Sequence, residues 1–372
     1  MALLAKVAAI IGVGLIGGSL GVRWRQQGAV GRVVGFGRNR ANLQRALALG
    51  AIDEAAADLR AALAGADLVV LCAPIATCIA LVPEVVRQAA PGALLTDVGS
   101  TKAAIAAAVA EAAAGVPGAP LFIGGHPMAG SEQAGVEAAD PYLFENAVWV
   151  LCPPADCPQG QLTRLQGLVE ATGAHAVLTD AVRHDRRVAA ISHLPQLAAV
   201  ALAAVAGQAD QADPGLLSLA GGGFRDTTRI ASSPPGMWLD VLATNQRPIL
   251  EAIDALQDQL AQLRAALAAG DAAAISRQFT TAAEVRGRVP GRQKGLLPAY
   301  HDLVLQVPDR PGVIGGLCRA LGDQGVNIQD IEILRLREGE GGTLRLGFAT
   351  AVLAEAALGV LTALDYRLQR RS

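Results

Sequence analysis

One histidine stands in a setting suited to acid–base chemistry. His126 lies in the sequence GGHPM, where glycine and proline restrict the backbone on either side of it. Histidine is the usual general base near neutral pH, since its ordinary pKa is about 6.5. Ser100, in the segment TDVGSTK at residues 96–102, is a polar candidate to work beside it. Taken alone, such a histidine is more often structural, and such a serine is more often the N-cap of the following helix.

A glycine-rich segment near the N terminus indicates a dinucleotide site. The sequence GVGLIG follows an apolar strand and opens a helical stretch, which is the context that the G-x-G-x-x-G fingerprint requires. Gly12 permits the tight turn, Gly14 lets the pyrophosphate approach the backbone, and Gly17 lets helix and strand pack closely. The helix that begins with Leu15 and Ile16 offers free N–H groups to the phosphates. The alternative is a glycine turn that binds nothing.

The end of the second strand bears on which nicotinamide cofactor is bound. In proteins that bind NAD, an Asp or Glu about 20 residues after the glycines contacts the ribose 2′-hydroxyl. This sequence has Gly37 there, followed by Arg38. No carboxylate repels a phosphate at this point and a guanidinium can hold one, so the sequence favours NADP over NAD. The alternative is that Arg38 is an exposed arginine on a solvated loop.

These candidates need a sheet to bring them together. Apolar runs of strand length alternate with helical stretches up to about residue 180, which predicts an α/β fold with a mostly parallel, doubly wound sheet of the Rossmann type. The carboxyl edge of such a sheet faces the ligand crevice, and the glycine segment, Ser100 and His126 all lie at that edge. The predicted strands are residues 6–11, 32–36, 67–73, 93–98, 121–125, 147–152 and 175–180.

The rest of the sequence predicts a helical region and a small α+β region. We divide the chain into a dinucleotide-binding domain at residues 1–180, an all-α substrate and dimerisation domain at 181–285, a basic linker at 286–299 and a C-terminal domain at 300–372. In the helical domain, Ser233 followed by proline predicts the start of one long helix that ends near residue 269. The last domain has the βαββα order of a ferredoxin-like fold, with room for a final strand.

Polar side chains in the alanine- and leucine-rich helical region are candidates to line a cleft. They are His184, His193, Arg225 and Arg229. The two histidines are nine residues apart and would face opposite sides of one straight helix, so we do not expect them to serve one site together. The two arginines are, without further information, as often surface residues as ligand contacts.

The composition argues against several function classes. A net charge of −2 with no basic stripe argues against nucleic acid as a partner. Two apolar stretches, residues 7–22 and 68–82, are too rich in glycine or too short to predict a signal peptide or a membrane span. Five cysteines without a C-x-x-C pair predict reduced thiols and no metal site. We therefore expect a cytoplasmic protein with no membrane partner.

Six sequence blocks resemble, in their order and spacing, the prephenate and arogenate dehydrogenase family of tyrosine biosynthesis. They are GVGLIGGSL, TDVGSTK, GGHPMAGSE, ISHLPQ, GGGFRDTTRIA and MWLDVLATN. The segment RQKGLLPAYHDLVLQVPDRPGVIG resembles the linker and ACT domain of longer members, so the resemblance spans essentially the whole chain. It implies an NAD(P)-dependent oxidative decarboxylation of prephenate to 4-hydroxyphenylpyruvate; the alternative is an arogenate dehydrogenase or a cyclohexadienyl dehydrogenase that accepts both substrates.

The resemblance also implies roles for residues. His126 matches the family's catalytic histidine, which accepts the hydrogen bond or proton of the substrate's ring hydroxyl, and Ser100 matches a serine that orients this pair. Arg229 matches the arginine that binds a substrate carboxylate, a task suited to a bidentate guanidinium. His193 matches another polar residue of the substrate site, and Glu132 matches an acidic residue at its mouth.

In the longer family members the ACT domain is regulatory and commonly binds an amino acid where two such domains pair. The resemblance implies an effector site at Gly312 and Val313, in the turn PDRPGVI, and at Asn327 and Ile328, in an expected facing strand. Tyrosine, the end product, is the expected effector, and a homodimer is the expected assembly. A domain used only for dimerisation is the alternative.

Two other functions compete with this interpretation. A β-hydroxyacid dehydrogenase would use a lysine in the helical region, but the sequence has no lysine between Lys102 and Lys294. A catalytically inactive amino-acid sensor would not need His126, Ser100 and Arg229 together. Within the family, prephenate and arogenate both stay open, because they differ only by a carbonyl or an ammonium group on the side chain.

Overall fold

The computed structural model describes residues 3–130, 133–289, 301–308, 310–337, 341–364, 366 and 368–371. The described chain forms two compact units, one that extends to Val289 and one that contains the residues from His301 onward. Glu132 and residues 290–299 of the predicted linker lie outside the described residues. The linker's first predicted residues, 286 and 287, belong to the last helix of the first unit.

The first unit is built on one eight-stranded sheet. Its strands are β1 (Ala5–Ile11), β2 (Val30–Phe36), β3 (Glu54–Ala55), β4 (Leu68–Leu71), β5 (Leu94–Asp97), β6 (Leu121–Pro127), β7 (Val148–Cys152) and β8 (His175–Leu178). They lie in the order β3-β2-β1-β4-β5-β6-β7-β8, which confirms the predicted Rossmann-like sheet.

One strand departs from the expected parallel series. β7 is antiparallel to β6, whereas the other neighbouring strands are parallel. A parallel connection needs a crossover, usually a helix. Between Pro127 and Val148 the described chain forms only a single 3-10 turn, at Val136–Ala138, so β7 runs back along β6.

Helices cover both faces of this sheet. They are α1 (Leu15–Gln26), α2 (Arg40–Ala48), α3 (Leu59–Leu63), α4 (Ile75–Gln88), α5 (Ala103–Ala113) and α6 (Gln159–Glu170). Successive residues of a strand point to opposite faces, so Ile10 and Ile11 enter separate cores. One core contains Leu20 and Trp24 of α1, and the other contains Val82 of α4. Burial on both faces explains why β4 and β5 read as continuous apolar or small residues.

The helical part of the first unit follows β8 directly. Its helices are α7 (Ala181–Val188), α8 (Leu194–Ala212), α9 (Gly222–Thr228), α10 (Pro235–Thr244), α11 (Gln246–Ala268) and α12 (Ala272–Gly287). A π-helical turn, Ala189–His193, joins α7 to α8, and 3-10 turns lie at Leu216–Leu219 and Arg229–Ser232.

The prediction of one long helix from Ser233 to residue 269 is wrong. Asn245 leaves the helical conformation, with φ −127° and ψ 27°, and so separates α10 from α11. Its side chain donates a hydrogen bond to the carbonyl oxygen of Asp185 at 2.8 Å. Asparagine side chains that bind backbone groups compete with regular helix, and here that tertiary bond coincides with the break.

The long helices leave much apolar surface exposed. Ile249 is the one buried residue of α11, and α12 has none. Leu260 and Leu267 of α11 and Phe279 of α12 are exposed. A helix normally buries its apolar stripe against another element, so these side chains suit a protein partner.

By length and composition alone, the helical stretch Ala181–Ala212 could cross a membrane. The same stretch carries the buried His193 and Gln196, which bond to other parts of the unit. It therefore has a structural role inside the folded domain.

The second unit is a four-stranded antiparallel sheet with two helices. Its elements are β9 (His301–Val307), α13 (Val313–Asp323), β10 (Asp330–Arg337), β11 (Gly341–Phe348), α14 (Ala351–Ala363) and β12 (Leu368–Arg371). The strand order is β10-β11-β9-β12, which confirms the ferredoxin-like fold and its final strand. Buried leucines of β9 and β11 pack against Leu317 and Leu361 of the helices.

The strand predicted from Val326 onward forms as β10, but it begins only at Asp330, so Val326–Ile328 precede it. The N–H of Val326 donates to the carbonyl oxygen of Leu321 at 3.0 Å, a bond that closes the end of α13. Because that amide is used at the helix end, β10 begins only at Asp330. Asn327 is exposed, and Ile328 packs partly against the core of the unit.

Candidate active site

The glycine segment forms the connection between β1 and α1. Gly12 has φ +102°, a conformation that favours glycine, and a Cβ there would lie 2.7 Å from the backbone of Cys72. An added Cβ at Gly14, by contrast, would meet nothing within 4 Å. Gly14 is also the N-cap of α1, and no side chain caps it. The helix N terminus is therefore open to an anion at the position where the fingerprint expects the pyrophosphate.

A cavity of about 310 Å³ lies beside this segment. Ile16 of α1, Cys72 after β4 and Ser100 after β5 line it, together with Met237 and Asp240 of α10. The carboxylate of Asp240 accepts a hydrogen bond from the N–H of Ala76 at 3.0 Å and so ties α10 to the start of α4. The open N terminus of α1 and the apolar cavity beside it together fit a nicotinamide dinucleotide.

The loop after β2 presents a free guanidinium. Arg38 is exposed and follows Gly37 at the strand end. Arg40 is engaged differently, because its guanidinium donates to the carbonyl oxygens of Ala56 and Ala57 at 3.1 and 2.6 Å. Arg38 is thus placed to meet a ligand group beyond the end of β2.

A second cavity, of about 500 Å³, contains His126. The histidine is the penultimate residue of β6, and the cavity continues along Pro127, Met128, Ala129 and Gly130. Across from them lie Ser192, His193, Met237, Trp238 and Val241 of the helical region. The cavity therefore lies between the sheet edge and the helices.

Ser100 lines both cavities. It lies in the loop after β5, and the structure excludes the alternative that it is the N-cap of the next helix: that position is Lys102, and α5 begins at Ala103. Ser100 consequently stands between the space beside the glycine segment and the space that holds His126.

A buried ion pair holds the backbone of β6 next to His126. Lys102 and Asp97 are almost wholly buried and contact each other through Nζ and Oδ2. Lys102 Nζ also donates to the carbonyl oxygen of Gly125 at 2.7 Å, and the N–H of Gly125 donates to Asp97 Oδ1 at 3.1 Å. Both backbone groups of the residue before His126 are thus fixed by charged partners.

His126 is in turn bonded to a second histidine. Its Nδ1 lies 2.9 Å from Nε2 of His184, and Nδ1 of His184 lies 2.7 Å from Oδ1 of Asp185. Burial lowers the pKa of His126 well below its ordinary value, and the nearby positive charge of Lys102 lowers it further. The ring is therefore neutral at neutral pH, which is the form that can accept a proton.

His193 lines the same cavity from the helical side. Its Nδ1 lies 3.2 Å from Nδ2 of Asn245, and its ring meets the Trp238 ring edge-on at 6.0 Å. Burial is the main cause that lowers the pKa of His193 to about 4; Asp185 opposes this effect and His184 adds to it. His193 is thus also neutral at neutral pH.

The expectation that His184 and His193 would not serve one site is wrong. His193 lines the cavity, and His184 bonds to His126 on its wall. The helix between them is not a regular α-helix, since Ala189–His193 forms a π-helical turn. A π turn holds more residues than an α turn and changes the angular relationship that a straight helix would impose.

The remaining predicted residues lie differently. Arg229 and Arg225 are exposed and are not among the residues that line the cavity. However, the carbonyl oxygen of Ile230, the residue after Arg229, accepts a hydrogen bond from the side chain of Gln196 at 2.8 Å. Gln196 lies three residues after His193 in the sequence. Arg229 therefore lies on a segment tied to the site.

Sequence reasoning missed the residues behind the cavity. Asp97, Lys102, Asp185 and Asn245 are buried polar residues that organise the site. Burial of a charge is not visible in a sequence, although TDVGSTK did draw attention to the strand end that carries Asp97 and Lys102. Within the described residues no group of His, Cys, Asp and Glu is arranged to hold a metal ion.

Three family models match the chain in succession. Residues 20–178 match the nucleotide-binding domain of prephenate dehydrogenase, and residues 180–281 match its dimerization domain. Residues 301–359 match the ACT domain. Together the matches cover nearly all of the described chain.

Relatives of known identity agree. The chain is 36% identical over 340 residues to a prephenate dehydrogenase from Bacillus subtilis, which covers 91% of both chains. Among solved structures, an arogenate dehydrogenase from Synechocystis is 31% identical with TM-score 0.68, covering 77% of this chain and all of that one. A prephenate dehydrogenase from A. aeolicus, solved with hydroxyphenyl propionate and NAD+, is 27% identical with TM-score 0.71, covering 78% of this chain and 99% of that one.

Proposed function

The chain belongs to the prephenate dehydrogenase family, and from this premise we propose that it converts prephenate to 4-hydroxyphenylpyruvate by oxidative decarboxylation. One observation carries the proposal. Ser100 borders both the cavity beside the glycine segment and the cavity that contains His126. A nicotinamide in the first and a substrate in the second would meet at Ser100.

The residues of the chain divide the work of this reaction. Gly12, Gly14 and Gly17 with the N terminus of α1 would hold the dinucleotide phosphates. When bound, the oxidised nicotinamide supplies the acceptor for the hydrogen and electron pair that leave C4 of the substrate ring. Ser100 would orient the C4 hydroxyl toward His126.

His126 would manage one proton through the reaction. As a neutral imidazole it accepts the proton of the C4 hydroxyl when that carbon is oxidised. The ring carboxylate then leaves as CO2, and its bonding electrons make the ring aromatic with a phenolate oxygen at C4. His126 returns the proton to that oxygen, so the enzyme ends in its starting protonation state.

The lining of the cavity supports prephenate over arogenate. The described residues that line it include no Asp or Glu, and its two histidines are neutral at neutral pH. The ammonium group of arogenate would need an anionic partner in such a space, whereas the keto group of prephenate would not. Glu132, which follows the lining residue Gly130 closely in sequence, lies outside the described residues.

The substrate's carboxylates need a cation that the described lining does not supply. Arg229 is our candidate, because its segment is tied to α8 beside His193. In a single chain Arg229 is exposed, so a contact with substrate requires closure of the helical region or a second copy. The match to a dimerization domain and the exposed apolar side chains of α11 and α12 support a homodimer.

For the cofactor we propose a preference for NADP. Arg38 is exposed beyond β2, and Gly37 provides no carboxylate at the ribose position. Asp53, the nearest acidic candidate in the following loop, is occupied by Arg25 and by the N–H of Val33. These residues leave a guanidinium, and no carboxylate, to meet the ribose.

For the second unit we propose regulation by tyrosine in a cytoplasmic enzyme. The match to an ACT domain is consistent with an amino-acid effector. Gly312, with φ +87°, is the N-cap of α13 and Val313 is the first residue of that helix, which supports these two residues as candidates to contact the effector. Asn327 is exposed close after the same helix and can offer its amide to a ligand.

Initial-rate measurements with prephenate and arogenate, each with NAD and NADP, test the activity. We expect the highest kcat/KM for prephenate with NADP, and stoichiometric release of CO2 with the 4-hydroxyphenylpyruvate formed. Turnover of neither substrate with either cofactor would contradict the proposed function, and a higher kcat/KM with arogenate would reverse the substrate assignment.

A further inference from the structure

Asp185 has the contacts of an ionised carboxylate. Its Oδ1 accepts a hydrogen bond from the N–H of Lys102 at 2.8 Å, and its Oδ2 accepts one from the N–H of Ala103 at 2.9 Å. Backbone N–H groups only donate, so both oxygens act as acceptors. These two donors stand at the start of α5, where the helix dipole also favours a negative charge.

The carboxylate determines which nitrogen of His184 carries hydrogen. Nδ1 of His184 lies 2.7 Å from Oδ1 of Asp185, and the oxygen can only accept, so Nδ1 donates. Both residues are about 2% exposed, so water does not compete for this bond. A neutral His184 then has a bare Nε2, which can accept a hydrogen bond.

His184 in turn determines which ring nitrogen of His126 carries hydrogen. Nδ1 of His126 lies 2.9 Å from Nε2 of His184, and the two rings meet edge-on at 5.1 Å. With Nε2 of His184 bare, Nδ1 of His126 must carry the hydrogen, which leaves Nε2 of His126 without one. A base needs this bare nitrogen. The opposite assignment, in which His184 donates to His126, would leave Nε2 of His126 protonated and unable to accept a proton.

We propose that His184 and Asp185 are positioning residues that hold His126 in the tautomer with a free Nε2 and stabilise the positive charge that His126 acquires during turnover. This inference rests on the proposed function, in which His126 is the base. The charge on His126 would be shared along the chain of hydrogen bonds toward the Asp185 carboxylate, and no proton needs to reach Asp185.

Other charges around His126 do not replace this support. Lys102 opposes a positive His126, but its own charge is paired with Asp97. His193, on the opposite wall of the cavity, is neutral at neutral pH. Of the charged groups named here, Asp185 is the anion connected to His126 by a continuous chain of hydrogen bonds.

The position of the hydrogen on each histidine ring can be measured directly by 15N NMR. The sample is the full-length protein labelled at its five histidines. We expect the His126 signal of the wild-type protein, assigned with His126→Asn, to show hydrogen on Nδ1 near neutral pH without any substrate. In His184→Leu, Nδ1 loses its acceptor, and we expect the hydrogen to move to Nε2. His175→Leu, at an exposed histidine of β8, is the matched control and should leave the His126 signal unchanged.

Kinetics supply a second measurement. His184→Leu should lower kcat about 10²-fold, the low end of what a general base contributes, with substrate KM and cofactor Kd nearly unchanged. His184→Gln keeps an acceptor near Nε2 and should recover part of kcat. If the leucine variant fails to fold, the position of the hydrogen on wild-type His126 still tests the proposal.

Two results would overturn the proposal: a wild-type His126 with hydrogen on Nε2, or a folded His184→Leu protein with unchanged tautomer and kcat. Failure of the proposed function looks different. If His126→Asn retained full turnover while the NMR assignment held, His126 would not be the base, although the hydrogen-bond chain would exist.

Discussion

Gly17 packs so closely against Gly12 that a Cβ on Gly17 would lie 2.4 Å from the carbonyl oxygen of Gly12. The contact joins α1 to the turn after β1, and Ile10 closes the same space at 2.9 Å. Gly14 lies between Gly12 and Gly17 in the sequence, but a Cβ at Gly14 would meet nothing within 4 Å. Gly17 is therefore required for packing, whereas the space beside Gly14 is open, and there we propose that the ligand binds.

We expect Gly14→Ala to fold normally and to bind NADP at least about tenfold more weakly, because the methyl group occupies the space where the phosphates approach. Gly17→Ala should lose about 1–3 kcal/mol of unfolding free energy, as is typical of overpacking. Denaturant unfolding and fluorescence titration with NADPH measure the two effects. Equal destabilisation by both variants would contradict this division.

His126→Asn should lower kcat by about 10²–10⁴-fold while the Kd for the cofactor stays nearly constant. Asparagine can still form hydrogen bonds but cannot take up a proton. Steady-state kinetics with prephenate and a cofactor titration check both quantities. His175→Asn, at an exposed histidine outside the cavity, is the control and should retain the wild-type kcat. Near-normal turnover by His126→Asn would remove His126 from its assigned role.

Arg38→Ala should weaken binding of NADP far more than that of NAD, because the contact that we propose for Arg38 is with the additional 2′-phosphate alone. The loss of one charge-assisted contact corresponds to about a 10- to 100-fold increase in the Kd for NADP. Arg40→Ala is an instructive comparison, since Arg40 is bonded to backbone carbonyls and should affect both cofactors alike. A wild-type enzyme that prefers NAD, or equal effects of Arg38→Ala on both cofactors, would refute the phosphate contact.

Arg229→Ala should mainly raise the KM for prephenate, by about 10- to 100-fold, because a charged hydrogen bond to a carboxylate is lost. Arg225→Ala, four residues earlier on the exposed side of α9, should change KM little. If Arg229 acts across a dimer, the KM of the wild-type enzyme should also rise on dilution below the dimer's dissociation constant. Unchanged KM and kcat in Arg229→Ala would make Arg229 a surface residue.

Tyrosine should inhibit the full chain but not a shortened chain of residues 1–292, because the second unit forms a compact body of its own. An effector bound there acts through different affinities for two conformations or assembly states. Initial rates of both proteins with added tyrosine check this. Asn327→Ala in the full chain should weaken the inhibition without altering kcat in its absence.

The outcomes separate three mechanisms. Equal inhibition of both proteins would mean that tyrosine competes at the active site, where its ring resembles the product. No inhibition, and no thermal shift with tyrosine, phenylalanine or tryptophan, would leave the second unit as a dimerisation domain.

The sequence by itself determined the parts of this protein that depend on local pattern. The turn of Gly12, the strand ends that carry Ser100 and His126, and the αβ order of the second unit follow from glycine positions and apolar periodicity. Once the strands are parallel, their carboxyl ends must share an edge, so the approximate place of the site follows too.

Only the tertiary structure decided which polar groups meet. The bond between His126 and His184 joins residues 58 apart. A π turn, which no periodicity reveals, lies between His184 and His193. Asn245 interrupts a helix-favouring sequence where its side chain bonds to Asp185, 60 residues away. β7 is antiparallel to β6, and the described residues between these strands form no crossover α-helix. Local preferences amount to fractions of a kcal/mol per residue, whereas leaving a buried polar group without a partner costs about 1–3 kcal/mol, so the long-range partners prevail.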